Sequence, residues 1–148
     1  MKSGAPGNRK LLERAFNLTD FSLNIHMDFQ KSISTCFKKF TVFSGRASRS
    51  ELWYFALFGV IGAIIASVID VMILGYSWER NGPIYLIFEI IIFIPSIAVG
   101  ARRLHDIDKS GWWQLISLTI IGIILIFIWW ATEGKKKKNR FGAPIKLK

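Results

Sequence analysis

The stretch Leu52–Ile69, LWYFALFGVIGAIIASVI, runs for 18 positions without a charge, and the apolar run resumes past Asp70 to Leu74. A bilayer core about 30 Å thick needs roughly 20 helical residues to cross. Two more stretches reach that scale. Ile84–Ala101 is apolar apart from Glu89, Pro95 and a few small residues, and Ser110–Thr132 holds 23 positions without a charge. Buried core helices of a soluble domain are the competing explanation. Three such helices in 148 residues, with little polar periodicity, would leave no face for water. The sequence therefore predicts an all-α, polytopic helical membrane bundle with hydrophobic segments at about 52–74, 84–101 and 111–131.

Composition agrees. The chain is 51% hydrophobic and 14% aromatic, which argues against disorder over most of its length. Its mean hydropathy of +0.35 coexists with 20 Lys and Arg against ten Asp and Glu. One cysteine, Cys36, excludes an internal disulfide, and with only His26 and His105 there is no Cys/His zinc set. No metal or cofactor is expected. The first 15 residues carry Lys2, Arg9, Lys10 and Arg14 and no apolar stretch of seven, so Leu52 onward is expected to act as an uncleaved insertion signal.

The remaining pieces frame the spans. Residues 1–28 read as a loosely ordered tail. Phe21, Leu23, Ile25, Met27 and Phe29 alternate with polar residues at a strand period, but a lone strand has nothing to pair with. From Phe29 the period lengthens. Phe29, Ile33, Phe37 and Phe40 recur every three to four residues, while Lys31, Ser34, Lys38 and Lys39 fall elsewhere. That pattern predicts an N-terminal amphipathic helix, either lying in the membrane interface or packed on the spans. Residues 29–134 form the membrane domain, and 135–148 a basic C-terminal tail.

Ser48 precedes Glu51 by three residues, a capping box that starts the first span. Trp53 and Tyr54 then fall at headgroup depth, and Arg46 and Arg49 can reach lipid phosphates. Arg102 and Arg103 end the second span, where cations suit the helix dipole. Asp108 or Ser110 can cap the next helix. Trp112 and Trp113 anchor the start of the third segment and Trp129 and Trp130 its end, about 27 Å away along a straight helix.

These residues carry a family resemblance. The pieces FSGRASRSELWYF (43–55), RRLHDIDKSGWWQL (102–115) and NRFG (139–142) resemble the bacterial domain-of-unknown-function 805 family over roughly Phe37 to Pro144. The resemblance implies a small polytopic inner-membrane protein without an assigned activity. Two positions depart from the family pattern. Thr119 stands where the family has the proline of a Pro-x-x-Gly break, followed by Gly122. Gly142, Ala143 and Pro144 replace a Gly-Pro-Asp-Pro.

No P-loop, nucleophile elbow, dinucleotide fingerprint or HExxH motif is present. His105 beside Asp106 could serve as a general base, but no nucleophile or second base accompanies it, and a structural His–Asp turn explains it as well. The candidate site is instead a polar surface cluster of Arg46, Arg49, Glu51, Arg102, Arg103, His105, Asp106 and Asp108. Its first and second pieces are separated by two spans and so share one side of the membrane. Asp106 or Asp108 is expected to pair with Arg46 or Arg49. Two acids enter the apolar runs, Asp70 and Glu89. They read either as a cation or proton site or as shallow hydrated carboxylates with Arg80 as partner.

The charge of +10 invites a nucleic-acid reading, which its distribution opposes. Nine basic residues precede the first span, one lies in the loop 75–83, three lie between spans two and three, and seven follow. Flanking charges are what the positive-inside bias produces, and Lys135–Arg140 can hold anionic lipid. The expected partners are thus membrane lipids with anionic headgroups, with a homo-oligomer left open and no nucleic acid. The function expected is non-enzymatic: a polar face that binds headgroups or a partner protein. The alternative is a small oligomeric transporter or channel using Glu89 and Asp70. The Lys cluster places the C-terminal tail in the cytoplasm. The third segment has two readings. A straight crossing splits the flanking basic residues seven against eight. A re-entrant hairpin broken near Thr119 and Gly122 splits them fourteen against one.

Overall fold

The computed structural model describes residues 29–78 and 80–145. They are helical, with no strand among the described residues. Helix α1 covers 29–38, α2 Arg49–Leu74 and α3 Pro83–Asp106; a 3-10 helix, η1, covers Gly111–Leu118, and α4 covers Ile120–Ala131. The tail 1–28 and most of the alternating stretch 21–29 lie outside the described residues; Phe29, its last member, begins α1.

Helices α2 and α3 are antiparallel neighbours, each long and apolar enough to cross a membrane. At 1.5 Å per residue they extend about 39 and 36 Å. Ser48 caps α2 as expected, its hydroxyl accepting from the Glu51 N–H at 3.1 Å. The Glu51 carboxylate does not turn back to close the box; it reaches across to Arg102. Helix α1 packs its aromatic side on the start of α2. Phe29 stands edge-on to Tyr54 and Phe37 edge-on to Phe55 and Phe58, with ring centroids 5.6–5.9 Å apart. Cys36 is fully buried beneath it, while Lys31, Ser34, Lys38 and Lys39 are exposed. The core joins Cys36, Ala47, Leu52, Phe55, Ile92 and Val99, with Phe58, Phe88 and Trp130 against it.

The third apolar segment is not a straight helix. It folds back on itself. Thr119 is extended (φ −111°, ψ 147°) between η1 and α4. Its hydroxyl donates to the Ile116 carbonyl at 2.8 Å and accepts from the Gly122 N–H at 3.1 Å, closing one leg and capping the next. Gly122 is required because a Cβ there would fall on the Ile116 carbonyl oxygen. The two ends of the segment meet. Trp113 stands edge-on to Trp129 at 5.7 Å, and the Lys109 ammonium lies 4.1 Å over the Trp129 ring. The straight reading, with those tryptophans about 24 Å apart, is thereby corrected. The physical reason is that Thr119 supplies a side-chain cap where an uninterrupted helix would have only backbone bonds.

Candidate functional site

The last turns of α3 place Arg102, Arg103, His105 and Asp106 side by side, and all four are buried. The two arginines diverge. Arg102 donates to the carbonyls of Lys39 (2.9 Å) and Val42 (2.7 Å), just past the end of α1, and pairs with Glu51 at 3.0 Å. Arg103 donates to the carbonyls of Trp130 (3.0 Å) and Thr132 at the end of α4, and pairs with Asp106. Helix C-termini leave carbonyls without intrahelical partners, and a cation there also meets the negative end of the helix dipole. Two adjacent residues of α3 thus tie the ends of two other helices to itself.

Asp106 joins a third segment. One oxygen accepts from Arg46 at 2.7 Å, and the other pairs with Arg103. Of the pairings expected between Asp106 or Asp108 and Arg46 or Arg49, the one made is Asp106 with Arg46. Arg46 spends its remaining donors on the carbonyls of Asp106, Lys135, Lys137 and Gly142. Gly134 runs against the same carboxylate, so closely that an added Cβ would meet it.

His105 is equally committed. Its Nδ1 lies 3.0 Å from the Gly45 carbonyl, and its Nε2 accepts from the Gly111 N–H at 3.2 Å. That set fixes the neutral ring with its proton on Nδ1. Neither nitrogen is left for a substrate proton, so His105 follows the structural reading and not the general-base alternative. Phe141 stacks on the imidazole at 3.8 Å with ring planes 4° apart. The Asn139 amide donates to the His105 carbonyl at 2.8 Å, and Asn139 and Gly142 bond each other's backbone. The 139–142 turn is thus clamped onto the end of α3. Nothing in its spacing announced this; the family resemblance of NRFG was its only signal in the sequence.

Asp108, the other carboxylate considered for that pairing, has different partners. It pairs with Lys135 at 2.8 Å and lies 3.6 Å from Arg140, not with Arg46 or Arg49. The hydrogen bond from Lys135 holds its carboxyl below the ordinary range. Ser110 provides the cap of η1, accepting from the Trp112 N–H at 3.4 Å. Arg49 stays at the surface, exposed. It lines a cleft of about 230 Å³ with Arg46, Ser48, Asp106, Glu133, Lys135 and Lys136.

Asp70 and Glu89 do not form a pair of like sites. Asp70 is 1% exposed, and its two oxygens accept from the N–H groups of Ile84 (3.1 Å) and Tyr85 (2.8 Å). It caps α3 from the last turns of α2, at the end of the molecule opposite the cluster. The hydrated carboxylate partnered by Arg80 is corrected, because backbone donors of α3 occupy both oxygens. Glu89 is half-buried along α3. No group of three or more His, Cys, Asp or Glu able to hold a metal exists among the described residues.

The cluster is therefore a knot in which the three quoted sequence pieces meet. Residues 40–143 match the family described as "Protein of unknown function (DUF805)". The inner membrane protein YhaH of Escherichia coli K12 is 38% identical over 114 residues, 74% of this chain and 92% of the relative. The inner membrane protein YhaI of the same organism is 39% identical over 113 residues, 74% of this chain and 91% of the relative. No solved structure matches the chain. The matched span contains all three pieces of the knot, and the chain belongs to the DUF805 family of membrane proteins.

Proposed function

We propose that this is a non-catalytic, multi-pass inner-membrane protein whose cytoplasmic face docks on anionic lipid headgroups. In this reading α2 and α3 cross the bilayer. The η1–α4 hairpin enters and leaves on the cytoplasmic side, and both terminal segments lie in the cytoplasm. The observation that carries the reading is the division of labour among the charges. Arg46, Arg102, Arg103, His105 and Asp106 are spent on one another, on Glu51 and on backbone groups. What remains exposed beside them is basic in excess: Arg49, Lys135 and Lys136 around the cleft, with Glu133 against Lys136 and Asp108 against Lys135, and Lys38 and Lys39 at the end of α1. The knot fixes the face, and the exposed cations hold phosphate. Each basic residue near an anionic surface contributes about 1 kcal/mol.

The test is retention of lipid by the detergent-purified protein, read by native mass spectrometry against equal phosphatidylglycerol and phosphatidylcholine. Phosphatidylglycerol should be retained preferentially, and Arg49→Gln with Lys136→Gln should weaken that preference at unchanged thermal stability. Equal retention of the two lipids by the parent protein would sink the proposal. The transporter reading loses half its basis, because Asp70 is a helix cap.

A further inference from the structure

We infer that the molecule is a wedge, broad in the leaflet that holds the knot and narrow in the other, and that it favours membrane convex toward the broad end. The inference rests on the re-entrant hairpin proposed above.

The elements are gathered unequally along the bilayer normal. Arg102 ties the end of α1 to the knot end of α3, and Arg103 ties the end of α4 to the same turn. Lys109 over Trp129 closes the hairpin mouth at that level. At the other end the described chain holds only the end of α2, the loop after it and the start of α3, joined through Asp70. The hairpin cannot make up the difference. Eight residues of 3-10 helix at about 2.0 Å each reach roughly 16 Å, and twelve α-helical residues about 18 Å. Against a core of about 30 Å, its tip stops near the midplane. The tip residues Leu118, Ile120 and Ile121 are 87%, 83% and 80% exposed, so they meet acyl chains rather than protein.

Below the tip the opposite leaflet is filled by lipid. Apolar mass confined to one leaflet expands that leaflet, and such insertion depends on curvature. A convex leaflet has room for it, and a concave one does not. The ligand in this sense is a lipid surface of defined curvature.

The test uses the full chain with Cys36→Ala and Lys138→Cys, reconstituted into neutral phosphatidylcholine vesicles so that the basic tail meets no surface charge. Vesicles of about 30 nm and about 400 nm diameter are compared. An impermeant maleimide, applied before and after lysis, reports the share of molecules with the knot facing out. That share should rise in the small vesicles, the ratio of outward to inward molecules increasing at least about twofold. A share that is independent of diameter, or that falls in small vesicles, overturns the wedge. A parallel Ser44→Cys variant separates this failure from failure of the topology. If Ser44 and Lys138 report opposite faces, the hairpin reading falls and takes the wedge with it. If they agree while the share ignores diameter, the wedge alone is wrong.

Discussion

Asp106 bridges Arg46 and Arg103 at a place closed to water, with the two arginines 3% and 0% exposed. Removing one member of a buried ionic group leaves the others charged and unpaired, typically costing about 3–5 kcal/mol. Asp106→Asn should therefore lower the thermal midpoint in detergent sharply. Arg49→Gln, at an exposed position, should stay within about 0.5 kcal/mol of the parent. Equal midpoints for the two variants would show that the buried bridge is not holding the knot. Cys36 gives a second test at this scale. Burial, reinforced by Glu51, pushes its thiol up to about 12. A raised thiol pKa favours the neutral form below that value, so the thiolate fraction at pH 8 is on the order of 10⁻⁴. Maleimide should modify Cys36 only after denaturation; rapid labelling of the native protein at pH 7–8 would contradict its burial. Asp108 shifts the other way. Its lowered pKa means that its pairing with Lys135 stabilises the fold above the ordinary carboxyl value of 3.8, and is lost as pH falls through the lower folded value. Protease protection of the 135–142 segment should thus hold from pH 8 to pH 5; loosening already at pH 5 would contradict it.

The hairpin is the element whose identity was least legible. Apolar length marked Ser110–Thr132 as a membrane segment, but an Ile-rich run looks the same whether it crosses or returns. The break depends on one hydroxyl at Thr119 and one missing Cβ at Gly122. Thr119→Val keeps the shape and removes the cap, and loss of a Thr cap costs about 1 kcal/mol; Thr119→Ser should restore most of it. Gly122→Ala should be worse, because its Cβ meets backbone rather than a movable side chain. If Thr119→Val and Gly122→Ala both melt with the parent, the break is not built as described. The ends of α2 and α3 were more legible. Ser48 declared its cap by position, and opposite charges separated by two spans implied that Asp106 or Asp108 meets Arg46 or Arg49, without saying which pair forms. Their burial was not legible, because the carbonyls that Arg102 and Arg103 satisfy belong to α1 and α4, distant in sequence and silent in composition.

At the scale of the whole molecule, everything turns on which segments share a side. The knot joins the segment before α2, the end of α3 and the 135–142 segment at one end. Asp70 and the loop 75–83 lie at the other. With the two crossings and the hairpin proposed above, all but one of the basic residues flanking the spans fall on a single side, which the positive-inside bias assigns to the cytoplasm. Cys36 cannot report this because it is buried. The reporters are Ser44→Cys, Lys138→Cys and Arg80→Cys in a Cys36→Ala background, all at exposed positions. The measurement is labelling by an impermeant maleimide in spheroplasts. The account predicts that Arg80→Cys labels in intact spheroplasts, whereas Ser44→Cys and Lys138→Cys label only after lysis. Labelling of Ser44→Cys and Lys138→Cys on opposite sides of the membrane would contradict it.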